Sequence, residues 1–237
     1  MRNNFGKLVS YEQNGNEVII QFEQKTAYVT VIREEIVRIF VPYFLENYQS
    51  KAIEGEKIVP TNFQAVLENG ILTITTEKVV TKIADDFIVD FYRPDGILLL
   101  ADYRGERMKQ EKVSWQTVEM LEAEGHDTSS FTDANVRYEI LKQIDAGDDY
   151  YGLGDKSGFL NKKHYEYENW NSDLPQAHNE DFKALYKSIP ILMCLKKEGA
   201  YGVFFDNTFR SNINLGKENT AYFYYTAEEG NLDYYFM

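Results

Sequence analysis

Carboxylates are the most abundant groups in this chain that could do chemistry. Adjacent pairs recur along it, among them Asp85-Asp86, Asp148-Asp149, Glu180-Asp181 and Glu228-Glu229. Two-carboxylate hydrolysis of an acetal needs the groups to face each other across the scissile bond, roughly 5–10 Å apart. Nothing in the spacing sets any two of these so, and adjacent acids read as solvated surface. The histidines, His126, His164 and His178, stand far apart with no neighbour at metal-ligand spacing, and there is no second cysteine to join them. Zinc is therefore not expected. Cys194, within Ile191-Leu-Met-Cys-Leu195, reads as a small buried hydrophobe. Gly152-Leu-Gly154 with Gly158 misses the G-x-G-x-x-G spacing by one residue. No apolar-periodic helix follows to present its N-terminus to a phosphate, so these glycines read as turn formers. No serine lies in a nucleophile-elbow context.

One stretch has a different character. Tyr150 to Pro190 is polar and Gly-punctuated, and it carries Tyr150, Tyr151, Phe159, Tyr165, Tyr167, Trp170, Phe182 and Tyr186. A segment this long without apolar periodicity is functional or disordered in most domains. So much aromatic surface argues against disorder. Flat apolar rings beside amides and carboxylates are the groups a sugar needs: C–H faces stack on rings, and hydroxyls bond Asp and Asn. Trp170 could stack in this way or anchor the loop in the core. Asn171-Ser-Asp-x-Pro is by itself a good Asx-turn sequence.

The order of blocks in and after this stretch carries a resemblance. Tyr151-Gly-Leu-Gly-Asp-Lys-Ser-Gly158 is followed by Asn161-Lys162 and then by Tyr167–Pro175 (YENWNSDLP). Leu185–Pro190 (LYKSIP) and Ala200–Arg210 (AYGVFFDNTFR) complete the series. Together they resemble glycoside hydrolase family 31, the α-glucosidases, α-xylosidases and relatives, in the N-terminal β-sandwich that precedes their (β/α)8 catalytic barrel. The resemblance implies a galactose-mutarotase-like sandwich and an α-linked glucoside or xyloside as substrate. It also implies a partnership with the chain's own C-terminal barrel. Nucleophile and acid/base would be aspartates of that barrel, in motifs absent here, so no catalytic residue is assigned. The loop after Trp170-Asn171 would overhang the barrel mouth, making Asp173 a sugar contact with Asn171 and Trp170 beside it. An independent carbohydrate-binding module is the alternative. A mutarotase is a third reading, but its paired His and carboxylate have no recognisable motif here. No cofactor is expected.

The elements around this segment read as strands. Glu17–Phe22 follows Asn14-Gly15, and Ile71–Thr76 follows Asn69-Gly70. Tyr28–Ile32, Ile36–Val41 and Val136–Ile144 are further β runs. Phe87–Tyr92 and Ile97–Leu100 flank Arg93-Pro-Asp-Gly96, whose proline presets φ and whose glycine accepts positive φ. Ile189–Leu195 and Ala200–Phe205 predict a hairpin, as do Thr220–Thr226 and Leu232–Met237. Pro42–Pro60 reads as an excursion, and Val113–Leu121 fits either a short helix or a strand. This is an all-β pattern, an antiparallel β-sandwich in one domain over residues 1–237. The final run, Asp233–Met237, stops without a turn residue, which predicts a longer parent chain with a shared apolar interface and possible self-association of this part alone.

Composition limits the partners. With 237 residues and 43% hydrophobic content the chain can bury a sizeable core, and 18 Tyr with 15 Phe favour strands. A formal charge of -13 excludes nucleic acid and anionic membrane surfaces as partners, while a neutral sugar is indifferent to it. The single cysteine and the absence of an apolar leader at the N-terminus predict a cytoplasmic protein.

Overall fold

The computed structural model describes residues 4–46, 48, 50, 52, 53, 60–108, 120, 123, 124, 136–175, 177–180 and 182–237. Almost everything regular in it is β, and every strand pair is antiparallel. Strands β1 (Leu8–Asn14), β2 (Glu17–Phe22), β3 (Thr26–Arg33) and β4 (Ile36–Val41) form one meander. A second meander contains β5 (Gln64–Glu68), β6 (Ile71–Thr75), β7 (Val80–Ala84), β8 (Ile88–Tyr92) and β9 (Leu98–Leu100). Then come β10 (Tyr138–Gln143), β11 (Asp149–Gly154) and β12 (Glu166–Asn169). The last five are β13 (Ser188–Lys196), β14 (Gly199–Phe205), β15 (Ser211–Asn214), β16 (Tyr222–Ala227) and β17 (Leu232–Phe236).

These strands make two layers. One is an eight-stranded sheet in the order β1-β2-β3-β4-β17-β14-β13-β11. The other combines the second meander with a four-stranded sheet, β10-β16-β15-β12. An Asp102–Lys142 bridge joins the two smaller sheets edge to edge, and the Gln143 N–H donates to the Ala101 carbonyl at 2.9 Å. Alternation drives the packing: Val18 and Ile20 on β2, and Leu72 and Ile74 on β6, point inward and are buried. Stacked rings lock the layers together, Phe91 on Phe236 and Phe205 on Tyr225, both with centroids 4.1 Å apart. The sandwich expected from the sequence is the fold.

At the seam between the smaller sheets lies a buried charge. The Lys142 ammonium is 2.9 Å from Asp102 and donates to the Val89 carbonyl and to the Tyr234 hydroxyl. Burial alone would depress its pKa, but Asp102 and Tyr234 together hold it above the ordinary lysine value.

Two expectations need correcting. Thr220–Thr226 and Leu232–Met237 are not a hairpin: β16 lies between β10 and β15, whereas β17 pairs with β4 and β14 in the opposite layer. All six residues of β16 and all five of β17 are buried: each is an interior strand facing the other layer, and the outer face of β16 is covered by Tyr103 and Arg107. Asn231 shapes the crossing, its side chain accepting from the Phe44 N–H at 2.7 Å and donating to the Leu45 carbonyl. Second, Tyr150–Pro190 is not one irregular excursion, because β11 and β12 lie inside it. Gly152, at φ +107, conceals β11 in the sequence. A Cβ there would come within 2.4 Å of the Ile191 carbonyl oxygen, so the glycine lets β11 close on β13 at a register shift. Of Val113–Leu121 only Met120 is described, and nine of the 19 residues of Pro42–Pro60 also lie outside the described residues. Among those residues no helix is long and apolar enough to cross a membrane.

Candidate sugar-binding site

The loop after β12 leaves and re-enters the sandwich at neighbouring points. Asn171 Oδ1 accepts from the Ser188 N–H at 2.8 Å, so the loop's first residues are tied to the first residue of β13. The Ser172 N–H donates to the Leu185 carbonyl and the Glu168 N–H to the Lys183 carbonyl. Farther out, the Tyr186 hydroxyl donates to the Leu174 carbonyl at 3.1 Å, and His178 packs between Phe182 and Tyr186 at 5.4 Å from each ring. The loop thus has a small polar and aromatic core of its own.

Beside its base is an open cavity of about 420 Å³, a size typical of small-molecule sites. Trp170, Phe204 and Phe209 supply aromatic surface, and Asn171, Asp206 and Asn207 supply polar groups. Trp170 is half exposed, with the Arg210 guanidinium 6.0 Å from its ring, and Arg210 is itself paired with Glu168. It is therefore a surface ring and not a core anchor. Asp206 is buried and accepts from the Tyr48 hydroxyl at 3.4 Å, whose pKa burial pushes up to about 12. Asn207 is committed to the fold through Tyr138 and the Glu229 carbonyl.

Of the three residues singled out in the sequence, Trp170 and Asn171 share this cavity. Asp173 lies farther along the loop, exposed, and its carboxylate has no hydrogen-bond or ion-pair partner among the described residues. The Asx-turn role available to it in the sequence is not one it performs here. Phe204, Asp206, Asn207 and Phe209 went unnamed in the sequence reading, although all lie within the Ala200–Arg210 block. Their aromatic-amide-acid mixture was the available signal.

Five of these paired acids have structural partners. Asp85 and Asp86 accept from the Leu8 and Gly6 N–H groups, pinning the start of β1. Asp148 is buried near Lys196, and Asp149 accepts from Asn161. Glu180 accepts from the Tyr165 hydroxyl, while its neighbour Asp181 lies outside the described residues, as does His126. Cys194 is buried, and burial pushes its thiol up to about 12, which keeps it protonated and inert.

Lys156 supports the loop from beneath. Its ammonium donates to the Glu168 carbonyl at 2.7 Å and to the Ser188 hydroxyl. Burial lowers its pKa to about 8, with Glu168 and Asp155 offsetting only part of the effect. The folded value lies below the unfolded 10.5, so between the two the unfolded chain holds the extra proton. Stability from this group should therefore rise as pH goes from about 8 towards 10.5. Urea unfolding across that window should show the rise in the native chain and a flatter profile in Lys156→Met. Parallel profiles would refute it.

Comparison with known proteins places this geometry. The family model described as the glycosyl hydrolase 31 N-terminal galactose mutarotase-like domain matches residues 26–214. An α-glucosidase 2 of Bacillus thermoamyloliquefaciens is 30% identical over 92% of this chain, which spans 25% of that enzyme. A family 31 dextranase of Flavobacterium johnsoniae, solved with glucose, is 28% identical and superposes with a TM-score of 0.77, covering 98% of this chain and 26% of its own. A family 31 α-xylosidase from a soil metagenome shares the fold at 16% identity, covering 97% of this chain and 32% of its own, with a TM-score of 0.65. The chain spans about a quarter of the length of the first two relatives. The chain belongs to the N-terminal galactose-mutarotase-like domain family of glycoside hydrolase family 31.

Proposed function

We propose that this chain is the N-terminal domain of a retaining α-glucosidase, supporting a catalytic barrel and shaping its sugar entrance. The observation that carries the reading is the loop at 170–178. It is rigidly rooted at Asn171, edged by the exposed Trp170 ring, and it offers the unengaged carboxylate of Asp173. Nothing among the described residues uses that carboxylate. A neutral sugar supplies what it lacks: hydroxyl donors for Asp173 and a C–H face for Trp170. The two catalytic carboxylates belong to the barrel in this reading, on opposite sides of the scissile bond. The single cysteine, buried and free, suits a cytoplasmic setting.

The test is hydrolysis of a panel of α-linked glucosides and xylosides by this chain together with its barrel, with the 237-residue chain in parallel. Activity on α-glucosides by the longer protein and none by the shorter is expected. Cleavage by the 237-residue chain that a substitution within it abolishes would refute the division of labour. The completeness of the cavity within this chain favours one second reading, an independent carbohydrate-binding module. That reading requires saturable binding of a gluco-oligosaccharide by the 237-residue chain alone.

A further inference from the structure

β13 is apolar on both of its faces. Leu192 and Cys194 face the core, as they should, but the alternate residues on the outer face are also apolar. Ile189, Ile191, Met193 and Leu195 are 42%, 36%, 52% and 52% exposed, a stripe along one whole strand. A solvated strand face carries polar residues at such positions. The stripe broadens across the sheet: Ile191 is paired with Phe204 on β14, and Met193 with Gly202. Met237 lies over Gly202, held there by two backbone hydrogen bonds, and is 40% exposed. A contiguous apolar face of this kind marks a contact surface.

Its position identifies the occupant. Phe204 belongs both to the stripe and to the wall of the candidate sugar cavity, and Ser188, at the head of β13, also lines that cavity. A domain that completes the sugar site must approach this corner of the sandwich. The relatives have such a domain's worth of chain beyond what this one matches, about three-quarters of their length. We propose that the outer face of β13, with Phe204 and Met237, is where the catalytic barrel docks. This rests on the proposed function for the existence of the barrel, but the choice of face comes from the stripe. The outer positions nearer the other edge of the same sheet include Glu17 and the exposed Gln21 on β2, which leaves that half a poorer fit for a dry interface.

The stripe contains its own reporter. Dilute peroxide converts exposed methionine thioethers to sulfoxides at rates that follow exposure. Met193 should oxidise readily in the 237-residue chain and on the order of fivefold more slowly in the protein that includes the barrel. Met108 is the control. It is 66% exposed and tethered to Tyr222 on the outer face of the opposite layer, so its rate should not change. Met193→Glu should leave the melting temperature of the 237-residue chain unchanged and lower that of the longer protein. Equal Met193 rates in both proteins would overturn the docking face. Met193 unprotected in both proteins when dilute, and protected in both as concentration rises, would also overturn it, by making a second copy the occupant. Glycoside hydrolysis with Met193 unprotected would refute this interface and leave the proposed function standing, whereas protection without hydrolysis would do the converse.

Discussion

Replacing Asp173 by alanine should lower kcat/KM of the barrel-containing enzyme roughly ten- to a hundredfold, the loss of one charge-assisted hydrogen bond of about 1.5–3 kcal/mol. The folded protein should not notice. The carboxylate is exposed and has no partner among the described residues, and surface substitutions of that kind change stability by about 0.5 kcal/mol or less. Asp173→Asn should recover part of the loss, because the amide keeps one acceptor oxygen. Asn171→Ala makes the informative contrast. It frees the Ser188 N–H and loosens the root of the loop, so it should move melting temperature and kinetics together. Unchanged kinetics in Asp173→Ala would remove the residue on which the sugar-entrance reading depends.

Lys142→Met should be among the most damaging single changes in the sandwich. Methionine has about the right volume, but it abandons Asp102, whose carboxylate would stay buried, with the Val89 N–H as its hydrogen-bond donor among the described residues and the Arg104 guanidinium nearby. Breaking a buried pair from one side costs about 3–5 kcal/mol. At roughly 2–4 °C per kcal/mol for a chain of this length, melting should fall by about 6–20 °C. Adding Asp102→Asn to Lys142→Met should restore part of the stability at pH 7. A loss below about 1 kcal/mol for Lys142→Met would show that the pair contributes little to the seam.

How far the sequence could be read followed from where period and turn chemistry speak alone. β2, β4 and β6 alternate cleanly after Asn-Gly or before proline, and their positions are plain in the residues. β8 and β9 are recognisable from the turn between them, closed by the Gly96 N–H to the Arg93 carbonyl. β11 is hidden because its two in-strand glycines imitate a loop, and β12 and β15 because four residues are too few to show a period. The false hairpin between β16 and β17 has a different cause. Strands buried on both faces lose the alternation that assigns a side, and four residues between them can cross layers as easily as turn within one. The candidate site was half legible. Trp170, Asn171 and Asp173 lie in one contiguous motif, whereas the Phe204–Phe209 wall comes from a different strand and meets them only in space.

The place of β17 also dictates an order of assembly. It fills the slot between β4 and β14, pairing with Val37 to Val41 on one side and with Val203 to Phe205 on the other. Until its residues leave the ribosome, the largest sheet of the domain exists as two half-sheets with no hydrogen-bonded connection. The β1–β4 meander, all local contacts, can form first, but it ends on an open apolar strand edge at β4, and β14 later presents another. A nascent chain paused before Leu232 would carry both edges unpaired, the state in which chaperone capture and edge-to-edge association compete. Arg38 on β4 and Asp233 on β17 form a bidentate pair at 2.6–2.9 Å across that slot. Their opposite charges suit them to draw the last strand into register as it emerges.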